Sequence, residues 1–155
     1  MSVAGTRVAL QTLNATITGV TSAPANYPGA INTADMPMAL VWPGPAESRA
    51  ESIGALRRQD RTWVVRVYVD AVNQGLGKHE VWQTAEVLLQ RFIEAYLNSA
   101  NVVLDNNGAQ ATISTAAGDI TDGGLQVLTY PPGLPLDAAP AYYGLEVRVR
   151  VYEKW

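Results

Sequence analysis

The residues with catalytic or ligand-binding potential in this chain are few and widely spaced. The best-formed group is "GLGKHE", Gly75 to Glu80, because it falls between a strand-like and a helix-like segment. A dinucleotide-binding turn needs a third small residue where helix and strand approach, and Glu80 occupies that place. A phosphate loop needs a glycine five residues before its Gly-Lys pair and Ser or Thr after it, but Val72 and His79 stand there. The segment therefore reads as a connection entering a helix. His79 is the only histidine; no "GxSxG" turn offers it a nucleophile, and a hydrolytic zinc site draws on more than one imidazole. Asp105, Asp119 and Asp122 lie in "LDNNGAQ" and "AGDITDGG", which miss the twelve-residue calcium-loop spacing and carry the Asn-Gly and Asp-Gly pairs of turns. The chain has no cysteine, which removes disulfides, thiolate metal sites and cysteine catalysis together. No catalytic, cofactor-binding or metal-ligating residue is assigned, and the expectation is a protein that is not an enzyme and uses no cofactor.

Charge narrows the partners. Eleven basic against fourteen acidic residues give a formal charge of −3, and only 16 % of residues are charged. Broad binding to nucleic acid or an anionic membrane wants clustered positive charge instead. No apolar run approaches the length of a membrane-spanning helix, and "MSVAGTRVAL" has no hydrophobic signal core. The expectation is a soluble protein with no membrane partner and no sequence-specific nucleic acid.

The 155 residues fit a single domain, 1–155, which buries roughly 70 % of its unfolded surface. Residues 5–19 place Leu10, Leu13, Ile17 and Val20 at helical spacing, with Thr6 as the expected cap. Residues 20–38 mix proline, glycine and small polar residues into a long loop. "ALVWPG" (39–44) reads as a short buried strand stopped by Pro43 and Gly44. Residues 48–58 then lead through a turn at Gln59-Asp60 into the strand "RTWVVRVYVDAV", 61–72. The clearest helix spans 78–97, with Val81, Ala85, Leu88, Leu89, Phe92, Tyr96 and Leu97 on one face. Asn107-Gly108 marks a turn, "AGDITDGG" punctuates before a strand at 125–130, and "PPGLPLDAAPA" (131–141) separates that strand from "YYGLEVRVRVYEKW". The order predicts an α+β fold: a mostly antiparallel sheet, two helices packed on one face, and long loops.

Two strands repeat one pattern. Trp63, Val65, Val67 and Val69 alternate with Val64, Arg66, Tyr68 and Asp70, while Leu145, Val147, Val149 and Val151 alternate with Glu146, Arg148, Arg150 and Tyr152. Alternate side chains point to opposite faces, so the valines belong to a core and the arginines and tyrosines to the other face. Arg and Tyr are over-represented at protein interfaces. Arg66, Tyr68, Arg148, Arg150 and Tyr152 are therefore interface candidates, with Arg148 and Arg150 expected to pair with carboxylates of a neighbouring subunit or of another partner protein. Leu134 and Leu136, on the proline-rich loop, are candidates for a docking arm.

In order and local texture the chain resembles the tail-terminator and head–tail joining (tail completion) proteins of long-tailed phages. The resemblance rests on a leading helix, a proline-rich loop closing on "ADMPMALVWPGPAE", the strand "TWVVRVYVDAVNQG", the helix "HEVWQTAEVLLQRFIEAYL" and the closing strand. It covers nearly the whole chain without a single diagnostic motif. It implies a structural virion protein, made in the host cytoplasm and placed in the tail or neck. Such proteins form a hexameric ring that caps the tail tube, ends tail polymerisation and docks the tail to the head connector. Its partners would be copies of itself, the tail tube protein and a head-completion or connector protein, with DNA passing through the ring lumen. The family has no catalytic residues to carry over. Another neck or connector component, or a small phosphate- or nucleotide-binding domain using "GLGKHE", stands as the alternative.

Overall fold

The computed structural model describes residues 3–50, 57–72, 77–98, 103–106, 109–113 and 120–154. Helix α1 (Val3–Ala15) is followed by a long loop holding one 3-10 turn (Thr33–Asp35), then strands β1 (Met38–Ala50) and β2 (Arg57–Ala71). Helix α2 (Lys78–Asn98) leads to β3 (Val103–Asn106), β4 (Ala109–Ile113), β5 (Ile120–Thr129) and β6 (Ala141–Lys154). All strand pairings are antiparallel, in the order β1-β2-β6-β4-β3, and β5 also pairs with β6. The long β6 thus meets β2 on one edge and shares its other edge between β5, along Ala141 to Val149, and β4, along Val151 to Lys154. The fold is α+β with an antiparallel sheet.

The alternation in β2 and β6 decides where the core lies. One cluster joins Trp63, Val65, Val67, Leu145, Val147, Val149 and Val151 with Leu10 and Ile17, and with Val81, Ala85, Leu88, Phe92 and Tyr96 of α2. The first helix begins earlier than its spacing predicts, and Thr6 is a buried residue inside it, not its cap. Leu97, expected on the buried face of α2, is half exposed, because its place one residue beyond the buried Tyr96 turns it about 100° around the helix and off that face. A buried polar relay fixes the helices: Tyr96 donates to Asn14 Oδ1 (2.6 Å), Asn14 to Gln11 Oε1 (3.0 Å), and Gln11 to the Pro24 and Ala39 carbonyls (2.7 and 3.1 Å). Each member supplies what its neighbour lacks, so α1, α2, β1 and the loop are held in one arrangement.

The first hairpin differs from its sequence reading. β1 continues through Pro43 and Gly44 to Ala50, with a bulge between Pro43 and Ala46. An edge strand accepts proline, since no ladder N–H is needed on its outer side, and a bulge absorbs the irregularity. Gln59 and Asp60 are not a turn: they lie within β2, opposite Ser48 and Glu47. The connection between the strands falls at 51–56, outside the described residues. β5 likewise starts at Ile120, within the segment read as punctuation, with a bulge between Asp122 and Leu125 where Gly124 takes φ +67°. Asn106 pairs with Ala109, which spaces β3 and β4 for the two-residue turn expected at Asn107-Gly108; that pair and Asp119 lie outside the described residues.

A second cluster comprises Ile31, Met38, Leu40, Tyr68, Ala71, Leu128, Tyr130 and Tyr142, with Met36 and Trp42 packed against it. Its strand residues alternate with those of the first cluster, so it lies on the other side of the sheet. The loop before β1 supplies Ile31 and Met36, and Tyr27 stacks on Trp42 with ring centroids 4.1 Å apart. Tyr130 and Tyr142 both meet Tyr68 edge-on, at 5.9 and 5.7 Å.

Candidate interaction surfaces

Beyond the second cluster, β2 and β6 carry a charged ladder. The register sets Arg66 opposite Glu146, Val64 opposite Arg148, Thr62 opposite Arg150 and Asp60 opposite Tyr152. The two arginine-bearing strands are therefore adjacent, and Arg66, Arg148, Arg150 and Tyr152 share one surface. Their carboxylate partners are within the chain. Glu146 accepts from Arg148 Nε and Nη2 (3.0 and 2.8 Å) and pairs with Arg66 Nε at 3.3 Å. Arg150 Nη2 meets Asp60 Oδ2 at 3.4 Å and its guanidinium lies 5.9 Å from the Tyr152 ring. Each arginine expected to meet a neighbour's carboxylate thus also has one within the chain: Glu146, two residues back on the same strand, for Arg148, and Asp60, across on β2, for Arg150. Exposure still separates them, since the Arg148 side chain is 59 % exposed and the Arg150 side chain 36 %, each against a buried acid. Pro45, Asp60, Thr62, Thr121, Arg148 and Arg150 line a polar groove of about 310 Å³ on this surface, with Glu47 at its side.

Tyr68 is not part of it. The bulge between Tyr68 and Asp70 and the tyrosines around it bury the side chain completely. Burial pushes its hydroxyl pKa up to about 12, against the opposing charge of Arg66. Tyr68 is a core residue, and its alternation with Arg66 gave no sign of the second cluster that covers it.

Leu134 and Leu136 lie in the segment between β5 and β6 and are 44 % and 62 % exposed. The base of that segment is anchored: Tyr130 packs in the second cluster and donates to the Pro28 carbonyl, and Thr129 Oγ1 donates to the Leu134 carbonyl at 3.0 Å. The two leucines are thus exposed on an anchored root.

At the start of α2, Glu80 Oε2 accepts the Gly77 N–H at 3.1 Å. The acid three positions into the helix reaches back to its first N–H, as in a capping box. A carboxylate so placed competes with phosphate for the helix end, which weakens the nucleotide alternative; Gly75 and Leu76 lie outside the described residues. Among the described residues no group of His, Asp and Glu is arranged to hold a metal ion, and no helix is long and apolar enough to cross a membrane.

Sequence reasoning missed Asp60, taken for a turn residue, and Glu153. Glu153 is fully buried, with Oε1 accepting from Trp63 Nε1 at 3.2 Å and Oε2 4.0 Å from Arg61 Nε. Burial raises its carboxyl pKa, against hydrogen bonds from Thr6 and Trp63 and the charge of Arg61. Its signal was present: it extends the core-facing series Leu145 to Val151 by one step.

No protein-family model matches the chain, and no curated protein matches it either.

Proposed function

We propose that the chain is a structural virion protein of the tail-terminator type, whose copies pack side by side into a ring, most simply a hexamer, on the end of a phage tail tube. In this reading both helices, whose buried residues join the first cluster, pack on one face of the sheet, and the charged ladder lies on the other beside the second cluster. The observation that carries the reading is the separation of two exposed features on one paired strand system. The anchored proline loop ends at Ala141, and the arginine pair Arg148 and Arg150 lies farther along the same strand. At 3.3 Å per residue, Ala141 and Arg150 are about 30 Å apart. A subunit with two distinct, non-equivalent contact surfaces makes heterologous contacts, and these generate a ring when the rotation closes. The ring would meet the tube protein on one side and a head-connector protein on the other, with the chain acting by contact and not by catalysis.

Electron microscopy of particles from a phage carrying a labelled copy of the chain tests the reading. Label in a ring at the head-proximal end of the tail tube is the expected result. Label elsewhere in the neck assigns the chain to a connector component, and label absent from particles overturns a virion role.

A further inference from the structure

An open apolar groove runs along α2 beside the turn after α1, with a volume of about 320 Å³. Val87 and Leu88 give it an apolar floor, Gly19 forms the opposite wall, and Arg91 stands on its rim. The wall is close: Gly19 takes φ +98°, and a Cβ there would lie 2.9 Å from Arg91 Nη1 and 3.0 Å from Leu88 Cδ2. Arg91 Nη1 donates to the Thr18 carbonyl at 2.9 Å, which holds wall and helix together and leaves the rest of the guanidinium outward. Val87 is 47 % exposed on this floor.

The groove has a counterpart elsewhere on the molecule. Leu136 is the most exposed large apolar side chain among the described residues, and Asp137 follows it directly. An apolar tip followed by an acid matches an apolar floor rimmed by a guanidinium in both shape and charge sign. The prolines at 131, 132, 135 and 140 limit the entropy the loop loses on docking. Glu94, the acid nearest Arg91 along the helix, is engaged by Gln90 at 2.9 Å. A chain does not fill its own groove: the loop is rooted through Tyr130 in the second cluster, whereas Leu88 belongs to the first, across the sheet.

We infer that the groove between α2 and residues 18–20 receives the Leu136-Asp137 tip of a second copy of this chain, Leu136 on Val87 and Leu88, Asp137 on Arg91. This rests on the ring reading and names the contact that would join neighbouring subunits. Loop and groove are different patches, so the contact runs head to tail.

The chain lacks cysteine, so disulfide trapping has no background. Full-length Leu136→Cys and Val87→Cys proteins are mixed under mild oxidation, with each alone as control and circular dichroism confirming the fold. The mixed disulfide is expected to form at least about fivefold faster than either homodisulfide, because docking raises the local thiol concentration. Asp137→Lys in the loop partner is expected to slow trapping about tenfold, and Arg91→Glu in the groove partner to restore it. Mixed trapping no faster than the homodisulfides overturns the contact. Sedimentation of the parent separates the two readings: a closed oligomer without mixed trapping overturns this contact and leaves the ring, whereas a monomer without trapping overturns both.

Discussion

Glu153 holds a carboxylate at a core position, next to the indole of Trp63 and beneath Thr6 of α1. Burial raises its pKa, so the folded chain holds that proton more tightly than the unfolded one. The stability this gives is fully present below the ordinary value of 4.5 and is lost as pH rises through the raised pKa. Glu153→Gln removes the titration. Parent stability relative to the variant should therefore increase as pH is lowered from neutral towards that value, read from urea midpoints across the range; a constant difference would place the carboxyl in contact with water. Arg150 makes the opposite case, because its partner Asp60 is the buried member of the pair. Arg150→Glu sets a second carboxylate against it and should cost about 1–3 kcal/mol, below the figure for a fully buried pair since Arg150 stays partly exposed. Arg148→Gln, on a far more exposed side chain, should cost no more than about 1 kcal/mol. Urea titration of both variants checks the contrast, and equal losses would mean that exposure does not rank the two pairs. The alternation placed these residues on the correct faces. It could not reveal Asp60 as a partner, because an acid beside Gln59 between arginines has the composition of a turn.

The elements were more legible in kind than in extent. α2 and the valine-rich strands declared themselves by period, since each has one face that must be buried. β1 did not, because Pro43-Gly44-Pro45 has the composition of a stop; it continues as an edge strand because the bulge absorbs these residues without breaking the pairing with β2. Gly44 is the residue this depends on, as a Cβ there would lie 2.4 Å from the Thr62 carbonyl oxygen of β2. Gly44→Ala should force the strands apart at the bulge and cost about 1–3 kcal/mol, measured as a lowered thermal midpoint. The helices are tied by the Tyr96–Asn14–Gln11 relay, which periodicity cannot show because its partners are far apart in sequence. Tyr96→Phe removes the donor to a buried amide oxygen and should cost about 1–3 kcal/mol. A loss of a few tenths would mean that water or another donor takes the hydroxyl's place.

For the molecule as a whole, the second cluster decides which loops belong to the domain and which are free to meet a partner. Tyr27 and Ile31 lie on a loop without period, so their packing against Trp42 and the cluster was invisible in the sequence, although it turns residues 20–37 into part of the fold. The loop after β5 is built differently. Its root is held by Tyr130 and Tyr142, while Leu134 and Leu136 stay exposed. Replacing residues 132–140 by a short Gly-Asn turn keeps both tyrosines and the β5–β6 register from Thr129↔Ala141 inward. It removes the Leu134 carbonyl that Thr129 holds, and a shorter connection lowers the closure entropy by a comparable small amount. Folding stability should then stay within about 1 kcal/mol of the parent, since one partly exposed hydrogen bond is worth about that much. Under the tail-terminator reading, assembly should fail, because the arm that leaves the domain is gone. Complementation of a phage lacking this gene with the shortened copy reads the outcome as the yield of intact particles. Few or none, with a soluble and folded product, place the loop among the contact surfaces; normal yields would show that joining proceeds without Leu134 and Leu136.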